Sequence, residues 1–464
     1  MAKIKGAQWE APIREEYKLL SFQEVMALNG FEMQNEAPPP ADIGDVKGAE
    51  PAISVTDGQV EIQPDLQGNI YGAEFDENIC RDLKIVSYDG LCGGISVEGA
   101  GSNYTVEDAV IHLSGDGAGV GGKSAGASVA NHGTLTLNRV NISMSGTSRT
   151  ATSAYGNAVL RVNNSTLISH GSPYGADVPC EVTTVTPPRI LEIEGNCRTH
   201  CTSGNSASYF KNSTILTDGW AALSTDMSAG YVYLEAENCR VVATKSGYGV
   251  YADYFCHDLI RNCDFDVACM AAILGGNADV TFRDSRLKCG SYLALMHCVM
   301  GSYKEVGKLV VENCDVTTEQ AVVKVKSQNV IVRLKNSNIV SSSGVLLETT
   351  VNDDPVATRV LGRKVYGDHV YLTDMDITGD VIHNDPERDA YVYLQSSVLR
   401  GAVKHAMMVL DPGSKWIATG DSDVILGSDV DTAQIDAAEG ITIHAKCGDT
   451  GSYTLASGGK LIME

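Results

Sequence analysis

Short runs of alternating apolar and polar residues recur along most of the chain. They include Val-Tyr-Leu-Glu-Ala-Glu at 232–237, Val-Thr-Phe-Arg at 280–283 and Ile-Val-Arg-Leu-Lys at 331–335. This period-two alternation is typical of strands that are buried on one face. A second short strand usually follows, often after a glycine, as at Trp220–Thr225 after Gly219 and Tyr248–Asp253 after Gly247. The pattern predicts an all-β protein made of many short strands.

The alternating runs end in one recurring element: Asn or Asp, a small or flexible residue, any residue, and a large apolar residue. Its first residues are Asn164, Asn212, Asn238, Asn262, Asp284, Asn313, Asn336, Asp374, Ser396 and Asp421. Most steps between them are 22 to 29 residues, and two are 48 and 38. This period predicts a solenoid in which turn Asn side chains form a ladder. We expect a single-stranded right-handed parallel β-helix of roughly 11–13 coils.

Over roughly residues 85–430, the chain resembles the right-handed parallel β-helix (pectate-lyase-like) proteins. That group includes pectate lyases, polygalacturonases, alginate epimerases, inulin fructotransferases and phage tailspikes. The resemblance lies in the architecture, so it implies the fold and carries over no catalytic residues. Inulin fructotransferases and the intracellular hydrolases of difructose anhydride are a fold-level analogy only.

Both ends of a solenoid need a cap. Residues 1–84 are expected to form the N-terminal cap, with a helix over 21–29 and a linker containing Pro38-Pro39-Pro40. Ser21 and Glu24 have the spacing of a capping box at the start of that helix. Residues 431–464 are expected to form C-terminal cap strands. The two long steps predict insertions at 172–206 and 351–368, where function is expected to concentrate.

The amino-acid composition limits which binding partners and which cellular compartment are expected for this protein. The chain has 464 residues, with 47 Gly and only 7 Phe, as expected for many turns around a narrow core. A net charge of −23 argues against nucleic acid and against a polyanionic substrate. The sequence shows no signal peptide or membrane span, and its 13 Cys have no framework spacing, so we expect a cytoplasmic protein. Side-by-side packing of β-helices makes a homotrimer an assembly to consider.

Stacking the second strands of successive coils brings acidic, phenolic and imidazole groups onto one face. The alignment places Leu223 beside Tyr251 and Thr225 beside Asp253 as outward pairs. We expect Asp226 and Asp253 to act as the acid–base pair. The other expected catalytic residues are Tyr251, Tyr254 and His297. The expected substrate-binding residues are Arg198 and His200 from the first insertion, Trp220 as a stacking face, Thr225 and Met296.

Several of these features also have ordinary structural interpretations. Tyr and Asp are common on outward faces, and Asp226 could simply end a strand. The spacing of Cys197, His200 and Cys201 resembles half of a zinc site, but no further ligands have a recognisable spacing, so neither a metal nor a cofactor is expected. The charged residues just before the ladder positions are expected to pair between coils as a solvated stripe.

These observations favour a cofactor-independent enzyme that uses acid–base chemistry. Its substrate would be a carbohydrate, such as an oligosaccharide, or a similar hydroxylated, ring-shaped small molecule, and its reaction would be glycoside hydrolysis, elimination or isomerisation. A lyase or epimerase acting on uronates is the alternative within this class. An alternative of another class is a non-catalytic β-helix, such as an adhesin, a tail fibre or a scaffold. The irregular loops and the missing export signal favour the enzyme.

Overall fold

The computed structural model describes residues 2–12, 49–116, 122–172, 187, 189–226, 231–297, 306–326, 328–351, 366–386 and 388–464. The chain forms two compact units, the N-terminal unit of residues 32–273 and the C-terminal unit of residues 1–31 with 274–464. Within the described ranges the structure is all-β, and its helical segments are short 3-10 turns. None of these segments has the length and apolar character of a membrane span. The predicted helix 21–29 lies outside the described residues.

The N-terminal unit consists of three stacks of parallel strands, called A, B and C, which follow one another in each repeat, here called a coil. Stack A contains Glu50–Thr56, Cys92–Glu98, Ala127–Ala130, Thr150–Tyr155, Arg198–Thr202, Ala221–Thr225, Tyr248–Ala252 and Met270–Leu274. Stack B contains Ile79–Arg81, Asn103–Glu107, Thr134–Asn138, Val159–Asn163, Ala207–Lys211, Val232–Glu237 and Cys256–Arg261. Stack C contains Lys84–Ser87, Val110–Ser114, Asn141–Ser145, Thr166–His170, Thr214–Thr217, Arg240–Ala243 and Asp264–Val267. Long stacks of parallel strands in this order are compatible with a β-helix.

The C-terminal unit is built in the same way. Its A-type strands are Ala294–Met296, Val323–Val325, Val345–Thr349, Asp380–His383, Val403–Leu410, Ser422–Leu426, Thr442–Lys446 and Lys460–Met463. The B-type strands are Asp279–Arg283, Val306–Glu312, Asn329–Lys335, Asp368–Thr373 and Ala390–Gln395. The C-type strands are Arg286–Cys289, Asp315–Thr318, Asn338–Ser341, Asp376–Thr378, Val398–Arg400, Lys415–Ala418 and Ile435–Ala437. Val403–Leu410 pairs first with an A-type strand and then with a B-type strand.

The remaining elements are antiparallel partners of the outermost strands and short 3-10 turns. The antiparallel partners are Gln59–Ile62, Ile70–Tyr71, Glu74–Asp76 and Gly451–Thr454. The 3-10 turns are Pro64–Asn69, Gly122–Ser124, Arg189–Leu191 and Thr432–Gln434. Lys3–Ile4 pairs with Val430–Asp431, so the N-terminal segment closes onto the C-terminal coils of its own unit.

The turn ladder is present in both units. The backbone φ is between 44° and 55° at Asn164, Asn212, Asn238, Asn262, Asp284, Asn313, Asn336, Asp374 and Ser396. Asn is among the few residues that adopt this left-handed conformation readily. The Nδ2 of Asn238 donates to the Oδ1 of Asn212 at 3.1 Å, and that of Asn336 donates to Asn313 at 2.8 Å. The ladder inferred from the repeat is therefore confirmed at these nine positions. Asp421, which was also assigned to it, does not have a positive φ.

The residue after each ladder position joins neighbouring coils. Ser213 Oγ accepts a hydrogen bond from the backbone N–H of Ser165 (3.1 Å) and donates to the carbonyl of Lys211 (2.8 Å). Cys263 Sγ accepts similarly from the backbone N–H of Cys239 (3.3 Å). Small side chains with a donor and an acceptor fit this crowded turn, which explains the alternation of Ser and Cys.

Both long steps are insertions within a coil. Asn212 donates to the side chain of Asn164 at 3.2 Å, so no additional coil separates these turns. Ser172 and Asn196 are hydrogen bonded to each other at the base of the first insertion. The predicted loop 172–206 is too long, because Arg198–Thr202 is a strand of stack A. The second insertion, predicted at 351–368, lies between Val345–Thr349 and Asp368–Thr373, and residues 352–365 are outside the described part.

The charged stripe beside the ladder is paired as expected. Lys211 lies 3.1 Å from Glu237, and Glu312 contacts both Arg283 (3.1 Å) and Lys335 (2.9 Å). These side chains are substantially exposed, so each pair contributes little to stability. The stripe therefore serves as a solvated surface.

Candidate active site

The predicted register of stack A is wrong by one residue. Leu223 pairs with Val250, and both are fully buried, whereas Tyr251 pairs with Ser224. Tyr251 therefore shares its outward column with a serine and not with a leucine.

The shift arises because Trp220, with a φ of 71°, occupies the turn position that Gly247 occupies on the next coil with a φ of 103°. In addition, two consecutive residues of the strand Arg198–Thr202 face the interior. Thr199 Oγ1 donates to the carbonyl of Leu216 at 2.8 Å. The next residue, His200, packs its ring edge-on against Phe210, with centroids 4.7 Å apart. Simple alternation cannot anticipate this local bend, because it depends on how the strand turns over the core.

The corrected register brings Asp226 and Asp253 to equivalent positions on successive coils. The backbone N–H of Asp226 donates to Thr202 O (2.8 Å), and that of Asp253 donates to Thr225 O (3.2 Å). Both aspartates follow the last strand residue and face outward, and each is half-buried. Equivalent residues of neighbouring strands lie about 4.8 Å apart, so the two carboxyl groups are neighbours.

Asp226 is held by a guanidinium and a thiol. Arg198 Nη1 donates to Asp226 Oδ2 at 2.5 Å, and Cys201 Sγ donates to the same oxygen at 3.2 Å. Burial lowers the pKa of Arg198, but the carboxylate of Asp226 outweighs it and raises the pKa overall. Burial raises the pKa of the Cys201 thiol well above its usual range, with Asp226 adding to the effect, so Cys201 is a neutral thiol that donates this hydrogen bond.

The indole ring of Trp220 packs against the guanidinium of Arg198. The guanidinium carbon of Arg198 lies 4.3 Å from the centroid of the indole ring, a cation–π geometry. Trp220 is only 2% exposed. The expected role of Trp220 as a stacking face for substrate is therefore replaced by that of a support for Arg198. Arg198 itself begins a strand and is not part of a lid.

Asp253 has different surroundings. Tyr251 OH donates to Asp253 Oδ2 at 3.2 Å, and the backbone N–H of Tyr254 donates to Oδ1 at 2.8 Å. Burial and the adjacent Asp226 raise the pKa of Asp253 to about 7, although both hydrogen bonds oppose this shift. The Tyr254 side chain is buried against Phe255, so Tyr254 reaches Asp253 through its backbone.

Two further side chains join this face that the sequence did not single out. Tyr248 OH and Ser224 Oγ share a hydrogen bond of 2.8 Å, and the Tyr248 ring lies 5.6 Å from that of Tyr251. Burial raises the pKa of both phenols. Ser224 became visible as a neighbour of Tyr251 only with the correct register.

Other predicted residues lie in the interior. His200 Nδ1 is 2.9 Å from Thr152 Oγ1, and Nε2 is 2.6 Å from Thr202 Oγ1. Burial lowers the pKa of His200 to about 3, so the ring is neutral. Thr225 donates to the buried Asp258 at 3.0 Å. Neither His200 nor Thr225 is on the outward face with Asp226 and Asp253.

The three side chains whose spacing resembles half of a zinc site do not converge on a common point. Cys197 contacts Thr217 and Asp218, His200 faces the interior, and Cys201 contacts Asp226. Over the described ranges, no group of three His, Cys, Asp or Glu side chains has a geometry suited to a metal ion.

His297 and Met296 belong to the C-terminal unit, where both are fully buried. The site described here consists of N-terminal-unit residues only: Arg198, Cys201, Ser224, Asp226, Tyr248, Tyr251 and Asp253.

Comparison with known proteins returned no matching family model, no matching curated protein and no matching solved structure.

Proposed function

We propose that this protein is a cofactor-independent acid–base enzyme that acts on a carbohydrate or a similar hydroxylated, ring-shaped molecule. The observation that carries the proposal is the pair Asp226 and Asp253, which occupy equivalent outward positions but have different partners. Two carboxyl groups in unlike surroundings can divide the acid and base roles between them.

Asp253 is the proposed proton donor and acceptor. A carboxyl group with a pKa of about 7 is present in both protonation states near neutral pH, which suits transfer in either direction. The Tyr251 hydroxyl, bonded to Asp253, can orient the proton or extend its path to substrate.

Asp226 is the proposed partner carboxylate. It is paired with Arg198, so its negative charge is oriented and partly compensated. From this position it can stabilise positive charge that develops on a sugar ring or attack its anomeric carbon. The Arg198 side chain positions Asp226, and Trp220 positions Arg198.

The spacing of the two aspartates favours glycoside hydrolysis among the three reaction types. Neighbouring strands hold the backbones of equivalent residues about 4.8 Å apart, so side chains that extend in parallel can reach the roughly 5–5.5 Å separation of the carboxyl groups in retaining glycosidases. Elimination or isomerisation would use the same acid–base pair. A uronate lyase or epimerase is less favoured, because the nearby arginine, Arg198, is already paired with Asp226.

The proposal also extends to fold, location and assembly. Parallel strands joined by crossovers are right-handed in the great majority of proteins, so we take the stacks as a right-handed β-helix of roughly 11–13 coils. We further propose a cytoplasmic enzyme, a homotrimeric assembly and an oligosaccharide substrate. An adhesin, tail fibre or scaffold is the non-catalytic alternative.

Turnover assays of the purified chain against a panel of neutral oligosaccharides and uronate polymers would test this function. We expect turnover of a neutral oligosaccharide by the wild type and its loss in both Asp226→Asn and Asp253→Asn. Asp65→Asn, an exposed carboxylate in the same unit, is the matched control and should retain full activity. Undiminished turnover in Asp253→Asn would exclude Asp253 from the chemistry, and uronate turnover alone would favour the lyase.

A further inference from the structure

An aromatic ring follows each of the two aspartates at the start of stack B. Tyr231 comes five residues after Asp226, and His257 comes four residues after Asp253. The turn after Asp253 is tight, because the backbone N–H of Cys256 donates to the Asp253 carbonyl at 3.1 Å. Asp253 therefore lies just before this corner and His257 just after it, and Tyr231 of the neighbouring coil contacts His257.

The two rings stack on each other. Their centroids are 5.3 Å apart, and their planes differ by 28°. Tyr231 is 59% exposed, although His257 covers one of its faces. The phenol therefore keeps a large solvent-exposed surface beside its contact with His257, and the stack limits the rotation of the ring. A pre-oriented aromatic face suits the apolar side of a sugar ring.

Hydrogen-bonding groups lie beside this stacked pair. Tyr233 is the cross-strand partner of His257, and its hydroxyl donates to Glu235 Oε2 at 2.9 Å. Glu235 also pairs with the guanidinium of Arg261. The surface thus offers acceptors and donors for sugar hydroxyls with its local charges compensated, which favours a neutral ligand over a polyanion.

We infer that Tyr231 and His257, with Tyr233 and Glu235 beside them, bind a second ring of the substrate. The substrate is then a neutral oligosaccharide of at least two rings that crosses the corner between stacks A and B. This inference rests on the proposed function, because it takes Asp226 and Asp253 as the place where the reacting ring is held.

The inference can be tested by calorimetric binding in an Asp253→Asn background, which prevents turnover. The probes are cello-, xylo-, malto- and fructo-oligosaccharides of two to six units together with their monosaccharides. Tyr231→Ala should weaken binding of the recognised oligosaccharide about 3- to 10-fold, as expected for the loss of one aromatic contact. Tyr231→Phe should bind like the parent, because it keeps the ring face.

Tyr88→Ala is the matched control, since Tyr88 is 78% exposed elsewhere in the same unit. It should leave all affinities unchanged, and Tyr231→Ala should leave monosaccharide affinity unchanged. An equal loss for monosaccharide and oligosaccharide, or no loss at all, would overturn the inference. So would the absence of binding to every oligosaccharide in the panel.

The outcomes separate this inference from the proposed function. If Asp253→Asn loses turnover but Tyr231→Ala shows no length-dependent effect on binding, the acid–base site is supported and the second subsite is excluded. Length-dependent binding without turnover by the wild type would support a sugar-binding surface and count against the enzyme.

Discussion

The two units each hold an arginine beside two aspartates, but the two groups differ in which side of the strands they occupy. In the N-terminal unit, Arg198, Asp226 and Asp253 are on the outward face, and both aspartates are half-buried. In the C-terminal unit, Arg388 lies 3.1 Å from Asp385 and 3.7 Å from Asp368. Asp368 is fully buried on the same strand face as Val370 and Leu372.

The difference shows that similar residues can be either enclosed by the protein or left partly exposed to solvent. The inward group is closed by the protein itself, since Arg388 Nη1 donates to Gln328 O and His383 Nε2 is 2.7 Å from Arg388 O. Burial raises the pKa of Asp368, although Arg388 opposes this shift. A buried charged group of this kind can specify a single packing arrangement, whereas Asp226 and Asp253 remain partly exposed to solvent.

Replacement of Asp253 should have the largest effect. We expect Asp253→Asn to lower kcat/KM by about 10²- to 10⁴-fold, the usual contribution of a general acid or base. The wild-type pH–rate profile should have a limb near pH 7, from the pKa of Asp253, and the variant should lack it. A limb that persists unchanged in Asp253→Asn would assign it to another group.

Replacement of either arginine should destabilise the protein, but by different amounts in the two units. Arg388→Met leaves Asp368 and Asp385 buried without a cation and should lower the free energy of unfolding by about 3–5 kcal/mol. Arg198→Met should lower it by only about 1–2 kcal/mol, because Asp226 keeps contact with water. Urea denaturation of both variants measures this difference, and equal losses would contradict the comparison.

The pH dependence of stability tests the surroundings of Asp253. Its pKa is about 7 in the folded chain and about 3.8 in the unfolded chain, so between these values the folded state holds the extra proton. The contribution of Asp253 to the free energy of unfolding is therefore fully present below pH 3.8. It falls as the pH rises from there to about 7. The free energy of unfolding of Asp253→Asn should therefore rise relative to wild type between pH 4 and pH 7, by about 1 kcal/mol or more. Denaturation at both pH values measures the change, and Asp65→Asn should show none.

Ladder variants should have the smallest effects and should be alike in the two units. Asn238→Ala and Asn313→Ala each lose side-chain hydrogen bonds and place alanine at a positive φ, at an expected cost of about 1–2 kcal/mol. Asn238→Gly should cost less, because glycine accepts that conformation. Thermal unfolding measures these shifts, and a much larger loss in one unit would show that the ladder is not an equivalent scaffold.

Much of the fold could be predicted from the sequence because its determinants are local and repeated. The alternation of apolar residues marks the strands, and the Asn at each turn adopts a left-handed conformation that few other residues tolerate. Repetition adds the expectation that equivalent residues stack. The ladder hydrogen bonds between Asn212, Asn238 and Asn262 follow from this spacing alone.

The site was predicted only in part. Asp226, Asp253 and Tyr251 were identified from the stacking of strands and Arg198 from the first insertion, but Ser224, Tyr248 and Cys201 were not placed with them. Thr225 was assigned to the outward face and lies in the interior, because the two buried residues Ala222 and Leu223 reverse the facing of the rest of its strand. His200 was assigned to the first insertion and lies in the interior, because residues 198–202 form a strand.

The sequence by itself determined the repeated strands and the turn ladder, because each depends on the conformational preferences of neighbouring residues. Only the tertiary structure decided the register of stack A, and with it which side chains face outward. A one-residue shift reverses the facing of every later residue in a strand. That shift depends on packing against stacks B and C, which local preferences do not encode, and it brings Asp226 and Asp253 side by side.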